Sequence, residues 1–207
     1  MRIKKNSFIA IALIIIIVSI AYYVALTVTV DSANKELLKV MENNYQDKSL
    51  IYDAVKSLDM AIFMMPWNHD LRLNRRSLLL QINDYAGALE AVQDDLKVGK
   101  DGLAYEYEGL CYEFLNQKDK AYKSYRKALQ LYEDELAETP NDDFRTAEIA
   151  TLSMILGDTL RAQEILKTRK IPSDSLAASY IERNNQFILQ YKSGGLRYFY
   201  NKAKERN

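Results

Sequence analysis

The chain has 207 residues, 28 of them basic and 28 acidic, with one Cys, one His and one Trp. These counts exclude an internal disulfide and a zinc site built from the usual nitrogen and sulfur ligands of one chain. No concentrated basic block exists to release counterions from phosphates, so nucleic acid is not an expected partner.

Residues 8–30 are twenty-three consecutive positions without a charge, Pro or Gly, preceded by Arg2, Lys4 and Lys5 and followed at once by Asp31. At a rise of 1.5 Å per residue the run is roughly 35 Å long, enough to cross the hydrocarbon core of a bilayer with modest tilt. A single transmembrane helix over 8–30 is predicted. The competing reading is a secretory signal peptide, with Ser19-Ile20-Ala21 as a weak cleavage site. Tyr22, Tyr23, Val24, Ala25 and Leu26 extend the apolar run past the 7–15 residues such a core needs, which favours an uncleaved anchor. Lipid acylation would need a cysteine just past the run, and the single one is Cys111. The basic segment 1–7 places the N-terminus in the cytoplasm, and the C-terminal domain outside it, on the periplasmic side in a bacterium.

Beyond the span the balance turns slightly acidic, because its flank carries three bases and no acids. Only 7 Gly and 3 Pro occur, with no Gly before Gly87 and no Pro before Pro66. Sheets need more turns than that, so the chain is predicted to be all-α. The helix from the membrane has no Gly or Pro before Tyr45, and either continues through Asp31 or restarts there with Asp31 or Ser32 as its cap.

Residues 31–172 carry a repeating pattern. Ala54, Ala88, Ala121 and Ala162 each open an apolar helical face and, after the first, each follows a short polar break: Asn83-Asp84-Tyr85, Asn116-Gln117-Lys118-Asp119 and Leu156-Gly157-Asp158. The spacing is that of helix-turn-helix hairpins. The clearest copy is Tyr105-x3-Gly109-x2-Tyr112-x8-Ala121-x3-Tyr125-x2-Ala128. This copy resembles the tetratricopeptide repeat family, in which Gly and the first Ala let two helices approach while aromatics fill the space between hairpins. The resemblance covers about four degenerate repeats over roughly residues 35–171. The copies depart from the family where Arg76 and Ala150 replace Gly, and where Asp95 and Arg169 replace the last Ala. The segment Leu131–Asp142 lengthens one helix by about two turns before Pro140 stops it. A helical bundle with alanines at its crossings is the alternative.

Residues 173–207 form a different element. Ser173 is a candidate N-cap for a capping helix over 174–191, with apolar positions Leu176, Tyr180, Phe187, Ile188 and Tyr191. Ser193-Gly194-Gly195 breaks it, and a short last helix follows. Its Tyr198-Phe199-Tyr200 followed by Lys202, Lys204 and Arg206 would suit an acidic surface, but the favoured reading is that these cations complement the helix macrodipole.

Catalysis is not expected. His69 reads as a helix-start residue, Cys111 as a core residue, and Glu106, Glu108 and Glu113 as a solvated helix face. Neither a Gly-rich phosphate loop nor a nucleophile elbow is present. No cofactor, metal or small-molecule substrate is implied. The resemblance implies instead a peptide-binding groove, lined by the first helix of each hairpin. Carried onto this chain its positions are Asp70, Leu73, Ser77 and Leu80, then Leu103, Glu106, Leu110 and Glu113, and finally Phe144, Ala147, Thr151 and Met154. Such a groove is apolar with an acidic middle and suits a protein or peptide partner at the membrane; the competing reading packs several of these side chains against the C-terminal helix. A chaperone-tail clamp would use Lys39, Asn43 and Asn74, but Leu103 and Tyr107 stand where its last two cations belong. The expected role is a membrane-anchored interaction scaffold, with a holdase or accessory factor at a secretion channel as the alternative.

Overall fold

A computed structural model describes residues 5–168 and 175–204. Among the described residues it holds ten helices and no strand. The predicted cap Ser173, the substituted Arg169 and the terminal Arg206 lie outside the described residues, as do the side chains of Leu176, Tyr180, Phe187 and Lys204. The chain divides into two compact units, Met1–Asp84 and Tyr85–Asn207.

The first unit begins with α1 (Lys5–Glu42), a single uninterrupted helix that runs straight through Asp31. Asp31 is not a cap; it pairs with Lys35 one turn on, at 2.8 Å. The helix stops at Glu42, earlier than the expected Tyr45, because Asn44 and Tyr45 both adopt left-handed conformations (φ 50° and 59°). Helix α2 (Lys48–Met64) starts on Asp47, whose carboxylate accepts hydrogen bonds from the Ser49 and Leu50 amides. It folds back along α1, and α3 (His69–Gln81), capped by Asn68, packs against α2 in turn. Ala33 and Val40 of α1 meet Ile51, Ala54, Leu58 and Ala61 of α2, all of them buried. Small residues on both sides allow the two axes to approach closely.

This pairing divides the apolar run. From Leu13 to Val24 most large side chains face outward, whereas Leu26, Thr29 and Val30 are half-buried and Val30 packs against the α1–α2 core. The last third of the run is therefore apolar partly because α2 covers it.

The second unit comprises α4 (Tyr85–Val98), α5 (Gly102–Phe114), α6 (Lys118–Glu138), α7 (Asp143–Leu156), α8 (Thr159–Thr168), α9 (Ser175–Gln190) and α10 (Gly195–Lys204). Helices α4 to α8 pack each on the next, while α9 lies on α7 and α10 on α5 and α7. Aspartates open several of them: Asp101 accepts from the Leu103 amide, Asp142 from Arg145 and Asp158 from Arg161. The expected long helix is α6, which ends just before Pro140. Ala88, Ala121, Ala128 and Ala162 are all fully buried.

Candidate functional site

The hairpin of α5 and α6 sets the geometry of the site. A Cβ at Gly109 would overlap the Tyr125 ring, and one at Gly102 would overlap Tyr132. Two bare stretches of α5, seven residues apart, thus receive two tyrosines of α6, themselves seven apart and fully buried. The seven-residue spacing keeps both pairs on one helical face. Close contact on that face leaves Glu106, Leu110 and Glu113 of α5 directed at the helices packed over it.

The structure places the expected groove positions as follows. Leu103 is half-buried, and Glu106, Leu110 and Glu113 are buried on α5. Ala147, Thr151 and Met154 are buried on α7, while Phe144 stays 51% exposed. The remaining four belong to α3 in the first unit, where Leu80 is buried, Leu73 and Ser77 are half-buried, and Asp70 is exposed. His69 is the exposed first residue of α3, and Cys111 is a buried free thiol. The substituted positions Arg76 and Asp95 are both buried within their own units.

The face on α5 and α7 is not open: α10 lies on it. The contact is specific. The Glu113 carboxylate accepts a hydrogen bond from the Arg197 amide at 2.8 Å, and the Tyr191 hydroxyl accepts one from the Gly195 amide at 2.9 Å. Both donors lie in the first turn of α10, where amides have no partner within their own helix and the macrodipole favours a negative charge. Glu113 therefore caps α10 from another helix. Gly195 makes this possible, because its φ is +62° and a Cβ there would occupy the space of the carboxylate. Aromatic stacking completes the seat. Phe114 stacks on Tyr85 with centroids 4.0 Å apart, meets Tyr200 edge-on at 5.6 Å, and carries the Arg197 guanidinium over its face at 5.0 Å. Phe199 of α10 is buried in the core of the unit.

Reading Glu106, Glu108 and Glu113 as a solvated face requires correction. Glu106 is 4% and Glu113 8% exposed, and Glu108, half-buried, accepts from the Ser124 hydroxyl at 2.6 Å. The first two lie seven residues apart on the face that α7 and α10 cover, whereas the sequence showed only three acids close together. The Tyr132 hydroxyl donates to Glu106 at 2.6 Å, and the Arg145 guanidinium stands 4.5 Å over the Tyr132 ring. Burial raises the Glu106 pKa well above the ordinary carboxylate range, and the nearby Glu148 raises it further, against the opposing Tyr132 hydrogen bond and Arg145 charge. Burial likewise raises Glu113, opposed chiefly by its bond from the Arg197 amide. The Tyr132 phenol is raised by burial and then by Glu106, so it stays a donor at any physiological pH.

Between Glu106, Glu148 and α10 remains a cavity of about 180 Å³, lined also by Tyr107, Leu110, Leu196 and Tyr200. A wider, shallower hollow of about 700 Å³ lies between α6, α7 and α8, its rim crossed by the Arg161–Glu133 ion pair. Among the described residues no group of three metal-ligating side chains converges.

The fold and site define an all-helical protein with one N-terminal helix long and apolar enough to cross a membrane, and with an amphipathic helix of its own seated on α5 and α7. No protein-family model matches the chain, nor does any curated protein.

Proposed function

We propose that this chain is a membrane-anchored interaction scaffold, built from tetratricopeptide-like hairpins, that helps a membrane or envelope complex assemble. The observation carrying this reading is the seat of α10. The inner faces of α5 and α7 accept an amphipathic helix through a buried acid on its N-terminus and aromatic contacts along its side. That is helix-in-groove recognition, satisfied here within one chain. A partner helix offering a bare first turn and apolar anchors would meet the same groups after displacing α10, and Phe144, exposed on α7, and Leu103, half-buried on α5, are apolar positions left for it to reach. On this reading the N-terminus is cytoplasmic and the helical domain extracytoplasmic.

The test is photocrosslinking in native membranes from Phe144 and, separately, from Leu110. A single saturable partner, captured from Phe144 and competing with α10 for Leu110, is expected. A broad set of unfolded clients would favour a holdase at a secretion channel. Capture of α10 alone from both positions would sink the scaffold reading. Labelling a Lys48→Cys variant with a membrane-impermeant maleimide on intact cells checks the orientation; no labelling until the cells are lysed would reverse it.

A further inference from the structure

The end of α2 carries an apolar surface that nothing in its own unit covers. Met60 is 60%, Phe63 87% and Trp67 65% exposed. With Tyr22 of α1, Met60 and Phe63 border an open apolar hollow of about 590 Å³, with Lys56 and Asp59 also on its lining. The Tyr22 hydroxyl donates to the Met64 carbonyl at 2.9 Å, satisfying one of the free carbonyls at the helix end. That bond fixes the tip of α2 at the level of Tyr22 and Tyr23, well inside the apolar run.

Two placements of the bilayer are then possible. If the hydrocarbon extends to Val30, Tyr22 lies roughly 12 Å below its surface. Asp59, only about one turn of α2 above Phe63, would then also lie in the hydrocarbon. Asp59 is a half-exposed carboxylate paired with Arg75 at 3.2 Å, so this placement forces charges against lipid. If the boundary lies at Tyr22 and Tyr23, the helix from Lys5 rises about 26 Å across the bilayer, close to the thickness of a hydrocarbon core. Asp59 and Arg75 then stand in the headgroup region or above it, and Val30, packed on the α1–α2 core, owes its apolarity to α2. Two adjacent tyrosines at the boundary match the aromatic enrichment of membrane interfaces.

We propose that Met60, Phe63 and Trp67 form a second membrane contact, seated in the bilayer interface at the level of Tyr22 and Tyr23. The lipid surface is the occupant because the patch is continuous with the membrane helix and tied to it by the Tyr22 bond. The proposal rests on α1 spanning the bilayer. It gives the chain two points of attachment, so the α1–α2 hairpin stands on the membrane as well as passing through it.

Trp67 is the single Trp of the chain and reports its own depth. The full-length protein is reconstituted into phosphatidylcholine vesicles whose acyl chains are brominated either near the headgroup or near the chain end. Emission from Trp67 should be blue-shifted and at least twofold more strongly quenched by the shallow bromines. A Trp67→Phe, Tyr45→Trp variant, with its fluorophore at the far end of α1, should escape quenching. Met60→Ser with Phe63→Ser should halve the quenching of Trp67 while the protein still resists alkaline carbonate extraction. Quenching of Trp67 no greater than that of the Tyr45→Trp reporter, in a carbonate-resistant protein, would overturn the proposal. Trp67 shielded from aqueous acrylamide and bromine alike would also overturn it, pointing to a second copy as cover. Extraction by carbonate would remove the span itself, and with it the basis of the proposal.

Discussion

Gly109 and Tyr125 share one volume: the ring fills the space in which any larger residue of α5 would place its Cβ. The Tyr125 ring is fully buried and has no free side to move into. Gly109→Ala should therefore destabilise the full-length protein in detergent by about 1–3 kcal/mol, the usual cost of overpacking, read from its urea midpoint. Adding Tyr125→Leu should recover part of that loss, because two residues in contact do not act independently. Additive effects would mean that the clash is relieved elsewhere.

Gly195 bears the same relation to Glu113, with a positive φ added. Gly195→Ala should release α10 from its seat, raising amide exchange across residues 195–204 and trypsin cleavage at Arg197 about tenfold or more. Gly99→Ala, where a Cβ meets nothing within 4 Å, is the matched control and should leave α10 protected. Equal protection in both variants would show that Glu113 does not hold the helix.

The buried acid on α5 predicts a pH dependence. Glu106 keeps its proton in the folded state at pH values where the unfolded chain, near the ordinary value of 4.5, has lost it. Its contribution to stability is therefore complete below about 4.5 and declines as pH rises toward the raised folded value. Stability should fall with pH by up to about 1.4 kcal/mol per unit for this one proton. Glu106→Gln retains an acceptor for the Tyr132 hydroxyl and should flatten that slope, leaving the smaller contribution of Glu113. A slope unchanged by the substitution, measured by urea unfolding across pH 4 to 8, would assign the proton to another group.

Continuity of α1 makes a mechanical prediction. A flexible Gly/Ser insertion at Ser32 would displace Ala33 from its fully buried place against α2. Loss of partner capture from Phe144, with membrane insertion intact, is expected if the rigid rod sets the working position of the domain. Unchanged capture would reduce α1 to a tether.

Much of this architecture was legible in the chain because it rests on local rules. The apolar run, the scarcity of Gly and Pro, and the buried Ala54, Ala88, Ala121 and Ala162 each report helix faces within a few residues. Asn83 and Asn116, in the polar breaks, take the left-handed conformation that ends a helix (φ 63° and 60°). The site was less legible because it depends on contacts between distant segments. Nothing near Glu113 announces that Arg197 will meet it, and the acids of α5 look alike in sequence until α7 and α10 bury two of them. Gly194-Gly195 was the available signal, read only as a helix break. That Val30, inside the apolar run, packs on the α1–α2 core was hidden for a related reason: hydrocarbon and a neighbouring helix ask for the same side chains.

The cap on α10 also orders events in time. Glu113 precedes Arg197 by 84 residues, so at synthesis rates of 5–20 residues per second it waits about 4 to 17 s for its partner to be made. α7 is complete at Leu156, so for the last 41 residues of that interval, about 2 to 8 s, α5 and α7 have both been made and their face is uncovered; each newly made molecule passes once through a stage in which a neighbour's helix meets no competitor.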